Sequence, residues 1–210
     1  MAKLDQNGIK ALFDKLGALM RDNKDYLCEL DAAVGDGDLG ITMSLGFTKT
    51  SEGLAALEEA DVGKLLMRAG MLMSSHVPST MGTLMASGLM EGGKALKGKQ
   101  EIDAAGLALF IEKFRDALIM RGKAQPGEKT IVDAFDYSAK AAAACAGGSL
   151  EQCARAAEKG ALDGLEATKG MMSVHGKAAV FREKTIGRPD PGATVGHMFV
   201  KGIADFVGGN

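Results

Sequence analysis

Asp31, Asp36 and Asp38 fall within one short run, Asp31-Ala-Ala-Val-Gly-Asp36-Gly-Asp38-Leu-Gly40. They are interleaved with glycine and small apolar residues and not with lysine, unlike an ordinary solvated acidic face. On a flexible turn three carboxylates can converge on one point, and hard divalent cations take oxygen ligands of this kind. A calcium EF-hand loop fails on register. It needs an oxygen ligand at its fifth position and glutamate at its twelfth, but these fall on Gly40 and Phe47 counting from Asp36, and the twelfth falls on Thr42 counting from Asp31. Magnesium presented to a phosphate fits better, because Mg²⁺ is held by one or two carboxylates together with substrate oxygens. Three carboxylates around one Mg²⁺ keep a negative charge that repels a polyphosphate, whereas a second ion makes the site attractive, as in two-metal phosphoryl chemistry. The helix expected to begin near Ile41 aims its amides and positive dipole end at the same place. The loop thus reads as a two-magnesium polyphosphate site, and the competing reading is a capped turn.

Two further polar loops are rich in glycine: Gly122-Lys123-Ala124-Gln125-Pro126-Gly127 and Gly187-Arg188-Pro189-Asp190-Pro191-Gly192. Glycine lets a ligand approach the backbone closely, although helix caps and turns use it as well. Ser74, Ser75, Ser79 and Thr80 flank Pro78 and suit either a phosphate-binding turn or a capped helix start. Lys123 and Lys129 suit either the phosphates or a partner's surface. His76, His175 and His197 show no dyad partner in sequence, so no catalytic residue is assigned among them.

The elements that must position these loops are helical. Ile9, Leu12, Phe13, Leu16, Leu19 and Met20 follow the spacing of one helical face, as do Leu65, Leu66, Ala69, Leu72 and Met73, and Leu107, Phe110, Ile111, Phe114, Leu118 and Ile119. Valine and isoleucine are sparse and tryptophan is absent, which disfavours strands. Helices are expected near 7–22, 41–58, 62–74, 80–96, 103–120, 129–146, 150–168 and 192–207. No linker divides them, so the expectation is a single all-α domain over 1–210, an antiparallel eight-helix bundle or barrel with short connections. Several glycine-rich loops could then lie at one end, where function is expected. The 13 methionines are read as adaptable core filling, with a lipid-holding interior as the alternative.

Composition excludes other classes. Hydrophobic residues make up 46% and charged ones 25%, so the chain is no disordered segment. A net charge of −2 argues against a general nucleic-acid binder. No stretch approaches the roughly 20 apolar residues of a membrane span, and the charged N-terminus does not resemble a secretory leader. Cys28, Cys145 and Cys153 are odd in number and lack CxxC spacing, so neither a disulfide framework nor a zinc site is indicated, and the cytoplasm is the expected compartment.

Taken together the loops resemble the nucleotide-binding L subunit of dihydroxyacetone kinase. The resemblance is carried by Asp31…Gly35-Asp36-Gly37-Asp38-Leu39-Gly40, by Arg121-Gly122-Lys123-Ala124-Gln125-Pro126-Gly127-Glu128-Lys129-Thr130, by Gly176-Lys177-Ala178, and by Ile186-Gly187 with Asp190-Pro191-Gly192-Ala193. It implies an eight-helix barrel with the nucleotide at one end, and two Mg²⁺ on Asp31, Asp36 and Asp38 bridging the phosphates of ADP or ATP. Nucleotide contacts are implied for Leu39, Gly40, Ile41 and Thr42, for Ser79, Thr80, Met81 and Gly82, for Gly122 and Ile131, and for Lys177, Asp190, Pro191 and Gly192. The resemblance also implies that the ketose is held covalently on a histidine of a partner K subunit. In the phosphotransferase-system version a third M subunit recharges a permanently bound ADP, whereas in the ATP-dependent version the nucleotide exchanges. The chain departs from the family pattern at Leu39, where histidine is common, and at the 76–82 turn, where a glycine-rich stretch is common. Lys177 replaces arginine, and Arg182 stands where glycine is common. These departures incline the reading to an exchanging, ATP-using subunit acting on dihydroxyacetone or a related ketose such as a tetrulose. The alternatives are the permanently bound ADP, a fatty-acid kinase-like domain, or a regulatory nucleotide-binding protein.

Overall fold

The computed structural model describes residues 4–209 and is built almost wholly of helix. The α-helices are α1 (Gln6–Asp22), α2 (Lys24–Ala32), α3 (Leu39–Ala55), α4 (Val62–His76), α5 (Thr80–Ala95), α6 (Ala104–Gly122), α7 (Ile131–Ala144), α8 (Leu150–Ala167) and α9 (Pro191–Val207). The eight expected helices are all present, with ends displaced by no more than a few residues. The expected span of 1–210 reaches beyond the described residues at 1–3 and 210.

The helix that periodicity did not foretell is α2. Its sequence, KDYLCELDA, buries only Leu27, so it carries no apolar stripe to read. Two-residue strands add a small antiparallel pair, β1 (Leu4–Asp5) with β2 (Glu101–Ile102), in which Leu4 faces Ile102. Asp5, which ends β1, and Asp103, which follows β2, cap α1 and α6, accepting from the Gly8 and Gly106 amides at 2.9 and 2.7 Å.

Each long helix packs on the next in the order α1, α3, α4, α5, α6, α7, α8, α9, and α9 packs back on α1, closing a ring. The short α2 lies outside it, against α3. In an up-and-down ring every second helix starts at the same end. Thus α3, α5, α7 and α9 start at one end, and the strand pair that precedes α1 and α6 sits at the other.

The ring encloses phenylalanine, not a channel. Phe199 lies 5.4–6.5 Å, centroid to centroid, from Phe47, Phe110, Phe114 and Phe135, and Phe114 stacks on Phe135 at 4.3 Å. Each fully buried ring contributes about 1.5–3 kcal/mol through removal from water. The void left among Leu12, Phe13, Phe110 and Ile203 is only about 20 Å³, which leaves no room for a lipid tail. Met20, Met43, Met73 and Met85 are fully buried in the same core, so methionine serves there as core filling beside the aromatic rings.

Candidate functional site

At the end where α3, α5, α7 and α9 begin, the surface opens into a cavity of about 770 Å³. Its wall is made of those four helix starts, the acidic loop at 31–36, Gly122 at the end of α6 with Ala124 just after it, and the segment 175–178. Free N-terminal amides and aligned dipoles make such a convergence attractive to anions. Gly192 is where three of them meet: a methyl group placed there would lie 3.0 Å from the Met81 side chain and 3.3 Å from the Ile131 nitrogen.

Each start is capped differently. Ser79 accepts from the Gly82 amide at 3.0 Å. Thr130 accepts from Val132 at 3.1 Å, while Asp133 reaches back to the Thr130 amide at 2.7 Å and also takes the Gly127 amide at 2.6 Å, pinning the loop before α7. Asp190 accepts from Ala193 at 2.7 Å. Asp38 occupies the corresponding position at α3, yet its side chain makes no capping bond. The acidic loop is instead shaped by Asp31, whose carboxylate accepts from the Gly37 and Asp38 amides at 2.9 and 3.2 Å. That fold requires Gly37, with φ of 75°.

One oxygen from each of Asp31, Asp36 and Asp38 lies within 4.8 Å of the others. An all-oxygen donor set, open to solvent and with the Asp38 carboxylate unused by the helix, fits magnesium and not a softer metal. Across the cavity mouth Lys177 pairs with Asp36. This bond holds the Asp36 carboxyl below the usual range and raises the Lys177 ammonium. Lys177 opens a 3₁₀ segment, Lys177–Thr185, broken at Arg182, whose φ of 48° and ψ of −124° are a glycine-type conformation. His175 also lines the cavity, its Nε2 2.6 Å from Glu128 Oε2, which joins this segment to the loop before α7. His76 is exposed at the end of α4, and His197 of α9 lies with its Nε2 3.3 Å from Glu158 of α8.

Most residues singled out in the sequence come together here: Asp31, Asp36, Asp38, Leu39, Thr42, Ser79, Thr80, Met81, Gly122, Ile131, Lys177, Asp190, Pro191 and Gly192 all line the cavity. Gly40, Ile41 and Gly82 do not. Gly40 is packed so tightly on α2 that a methyl group would run into the Lys24 carbonyl and the Cys28 sulfur, and Gly82 packs in the same way on Val77. Ile41 faces outward, 53% exposed. Sequence reasoning passed over Leu84 and Val132, which also form the wall, because isolated apolar residues in amphipathic helices carry no distinguishing signal.

Residues 33–205 match the DAK2 domain family. The chain belongs to the DAK2 domain family. Among its relatives in this family is the ADP-binding subunit of a PEP-dependent dihydroxyacetone kinase from Escherichia coli K12, 30% identical over 86% of this chain and 87% of that one. The corresponding subunit of kinase 1 from Listeria innocua is 33% identical over 84% of each chain. An L-erythrulose 1-kinase from Mycolicibacterium smegmatis is 30% identical over 95% of this chain, which spans only 35% of that enzyme. The crystal structure of the dihydroxyacetone kinase of C. freundii superposes with a TM-score of 0.70 at 23% identity, covering 94% of this chain and 34% of that one. At that identity it bears on the fold alone: the matched third of that enzyme has the same helical fold. Among the described residues no helix is long and apolar enough to cross a membrane.

Proposed function

We propose that the chain is the nucleotide-binding subunit of a ketose kinase of the dihydroxyacetone kinase type. In this reading it holds ATP or ADP through two magnesium ions and presents the terminal phosphate to a ketose carried by a partner K subunit. The observation that carries the reading is the meeting of three converged carboxylates with four helix starts in one cavity. An acidic cluster alone attracts only cations, and helix starts alone attract only anions. Together they suit a metal–polyphosphate pair.

Within the proposal Asp31, Asp36 and Asp38 hold the metal. Magnesium, when bound, supplies positive charge and polarises phosphate oxygens. Leu39 and Thr42 at the start of α3, Ser79, Thr80 and Met81 at the start of α5, and Asp190, Pro191 and Gly192 at the start of α9 would line the nucleotide, with Gly40 and Gly82 letting the helices pack closely behind them. Gly122 and Ile131 bound the remaining wall. Lys177, paired with Asp36 at the cavity mouth, would be placed to meet the phosphates. The families of the relatives, dihydroxyacetone and erythrulose kinases, support a short-chain ketose as acceptor.

The test is a coupled assay with Mg·ATP and dihydroxyacetone. The isolated chain is expected to give no turnover, and a K-type partner to restore it. Turnover by this chain alone would overturn the two-component reading, and absence of magnesium-dependent ADP binding would overturn the nucleotide reading. A second reading, permanently bound ADP recharged by an M subunit, is supported by the names of the two PEP-dependent relatives. Against it, Lys177 offers a point charge where arginine offers a two-pronged donor, and Pro78 lacks an N–H at the rim of the cavity. Stoichiometric ADP retained through gel filtration in Mg²⁺ would decide for the second reading.

A further inference from the structure

Lys129 is the most unusual cation at this end of the molecule. It is only 4% exposed, and it adopts a left-handed backbone with φ of 58°. Among the described residues its ammonium has no carboxylate within hydrogen-bonding reach. It donates instead to two backbone carbonyls, those of Thr168 and of Arg188, the latter at 2.7 Å. Burial depresses its pKa, partly offset by the nearby charges of Asp190 and Asp133. Desolvating an ammonium is costly, and a positive φ in a non-glycine residue adds to that cost. A surface lysine would serve a purely peripheral role without either expense.

The two carbonyls explain the arrangement. Thr168 and Arg188 belong to the segments that deliver the chain to α9. The turn before α9 is already tied to the 168–170 segment, through Gly187 N to Lys169 O at 2.7 Å and Asp190 N to Thr168 Oγ1 at 3.0 Å. The Thr168 hydroxyl passes its own proton to Leu165 O at 2.6 Å. None of these bonds reaches the start of α7. Lys129 does, because it stands one residue before the Thr130 cap while its side chain grips both segments before α9. It therefore joins two neighbouring walls of the cavity.

We infer that Lys129 is a positioning residue of the cavity: it fixes the Asp190–Gly192 start of α9 against the Thr130–Ile131 start of α7, with its ammonium committed to backbone carbonyls and not to phosphate. The inference rests on the reading of the cavity as a nucleotide site. It predicts that the nucleoside end of the ligand depends on Lys129 as strongly as the phosphate end does.

The experiment compares Lys129→Met with wild type in binding to adenosine, to Mg·ADP and to Mg²⁺ alone. Both adenosine and Mg·ADP are expected to weaken by the same factor, about tenfold, the loss of one charge-assisted grip. Affinity for Mg²⁺ alone should stay unchanged. A loss confined to Mg·ADP would overturn the inference in favour of a phosphate-contacting lysine. A lower Tm with both affinities intact would overturn it in favour of mere packing. Should the variant not fold, the Lys129 ammonium resonance of the wild-type protein decides. It is expected to hold its position when Mg·ADP is added, and a shift with Mg·ADP that adenosine does not cause would overturn the inference. Should wild type bind no adenine ligand, the nucleotide reading fails by itself. Hydrogen exchange then tests the brace: faster exchange at the Gly187 and Asp190 amides in Lys129→Met supports it, and unchanged exchange overturns it.

Discussion

Asp38 and Asp190 stand at the same place in two helices that begin at the same end of the ring, and they have opposite fates. Asp190 is 6% exposed, accepts from the Ala193 amide, and is pushed by burial up to about 7. Asp38 is exposed and caps nothing. The difference arises one step away. In the loop before α3, Asp31 takes the Gly37 and Asp38 amides, so the turn is shaped without help from the Asp38 side chain. Before α9 no second carboxylate plays that part, and the Thr168 hydroxyl and Lys129 ammonium close over the turn instead. A helix-start aspartate is therefore structural where the chain covers it and available to a cation where a neighbour has relieved it.

The largest effect should come from removing the available carboxylates. Asp36→Asn and Asp38→Asn are each expected to abolish magnesium-dependent ADP binding in titration calorimetry while leaving the helical circular dichroism intact. Either variant binding like wild type would erase the distinction drawn between the two helix starts.

The structural aspartate should respond to pH. Its folded pKa lies above the unfolded value near 3.8, so the protonated form favours folding. That contribution is complete below about pH 4 and is lost as pH rises through about 7, with a limiting slope of about 1.4 kcal/mol per pH unit. Asn keeps the cap and removes the titration. The Tm of wild type should therefore fall relative to Asp190→Asn between pH 5 and pH 8. Parallel curves would show that Asp190 is ionised throughout and resembles Asp38 more than its burial indicates.

Lys177 sharpens the other side of the comparison, since its ammonium sits on Asp36 in the place a metal would take. Lys177→Met should bind Mg²⁺ alone about two- to fivefold more tightly, in line with the loss of one exposed ion pair, and Mg·ADP less tightly. Weaker binding of Mg²⁺ alone would mean that Lys177 orders the acidic loop and does not compete for it. The smallest effect belongs to the 3₁₀ segment between these regions. Arg182 holds φ of 48° without glycine's freedom, so Arg182→Gly should stabilise by about 1 kcal/mol in urea unfolding. A destabilised variant would show that the arginine side chain compensates for its backbone.

The eight long helices could be read from the sequence because a helical face is a local property, written in the spacing of Ile9, Leu12, Phe13 and Leu16 or of Leu107, Phe110, Ile111 and Phe114. The same logic hid α2, whose single buried residue leaves no period. The three carboxylates were visible for the same reason: they lie a few residues apart, and their ligand type is intrinsic to them. The roles of Lys129 and Lys177 were not visible. Lys129 meets carbonyls 39 and 59 residues away, and Lys177 meets a carboxylate 141 residues away. Spacing along the chain says nothing about contacts of that range. Only the closing of the ring, with its alternating helix directions, gathers the starts of α3, α5, α7 and α9 into one cavity. And only the packing around each start decides which aspartate loses its water, since desolvation depends on what the rest of the chain places over a residue and not on the residue itself.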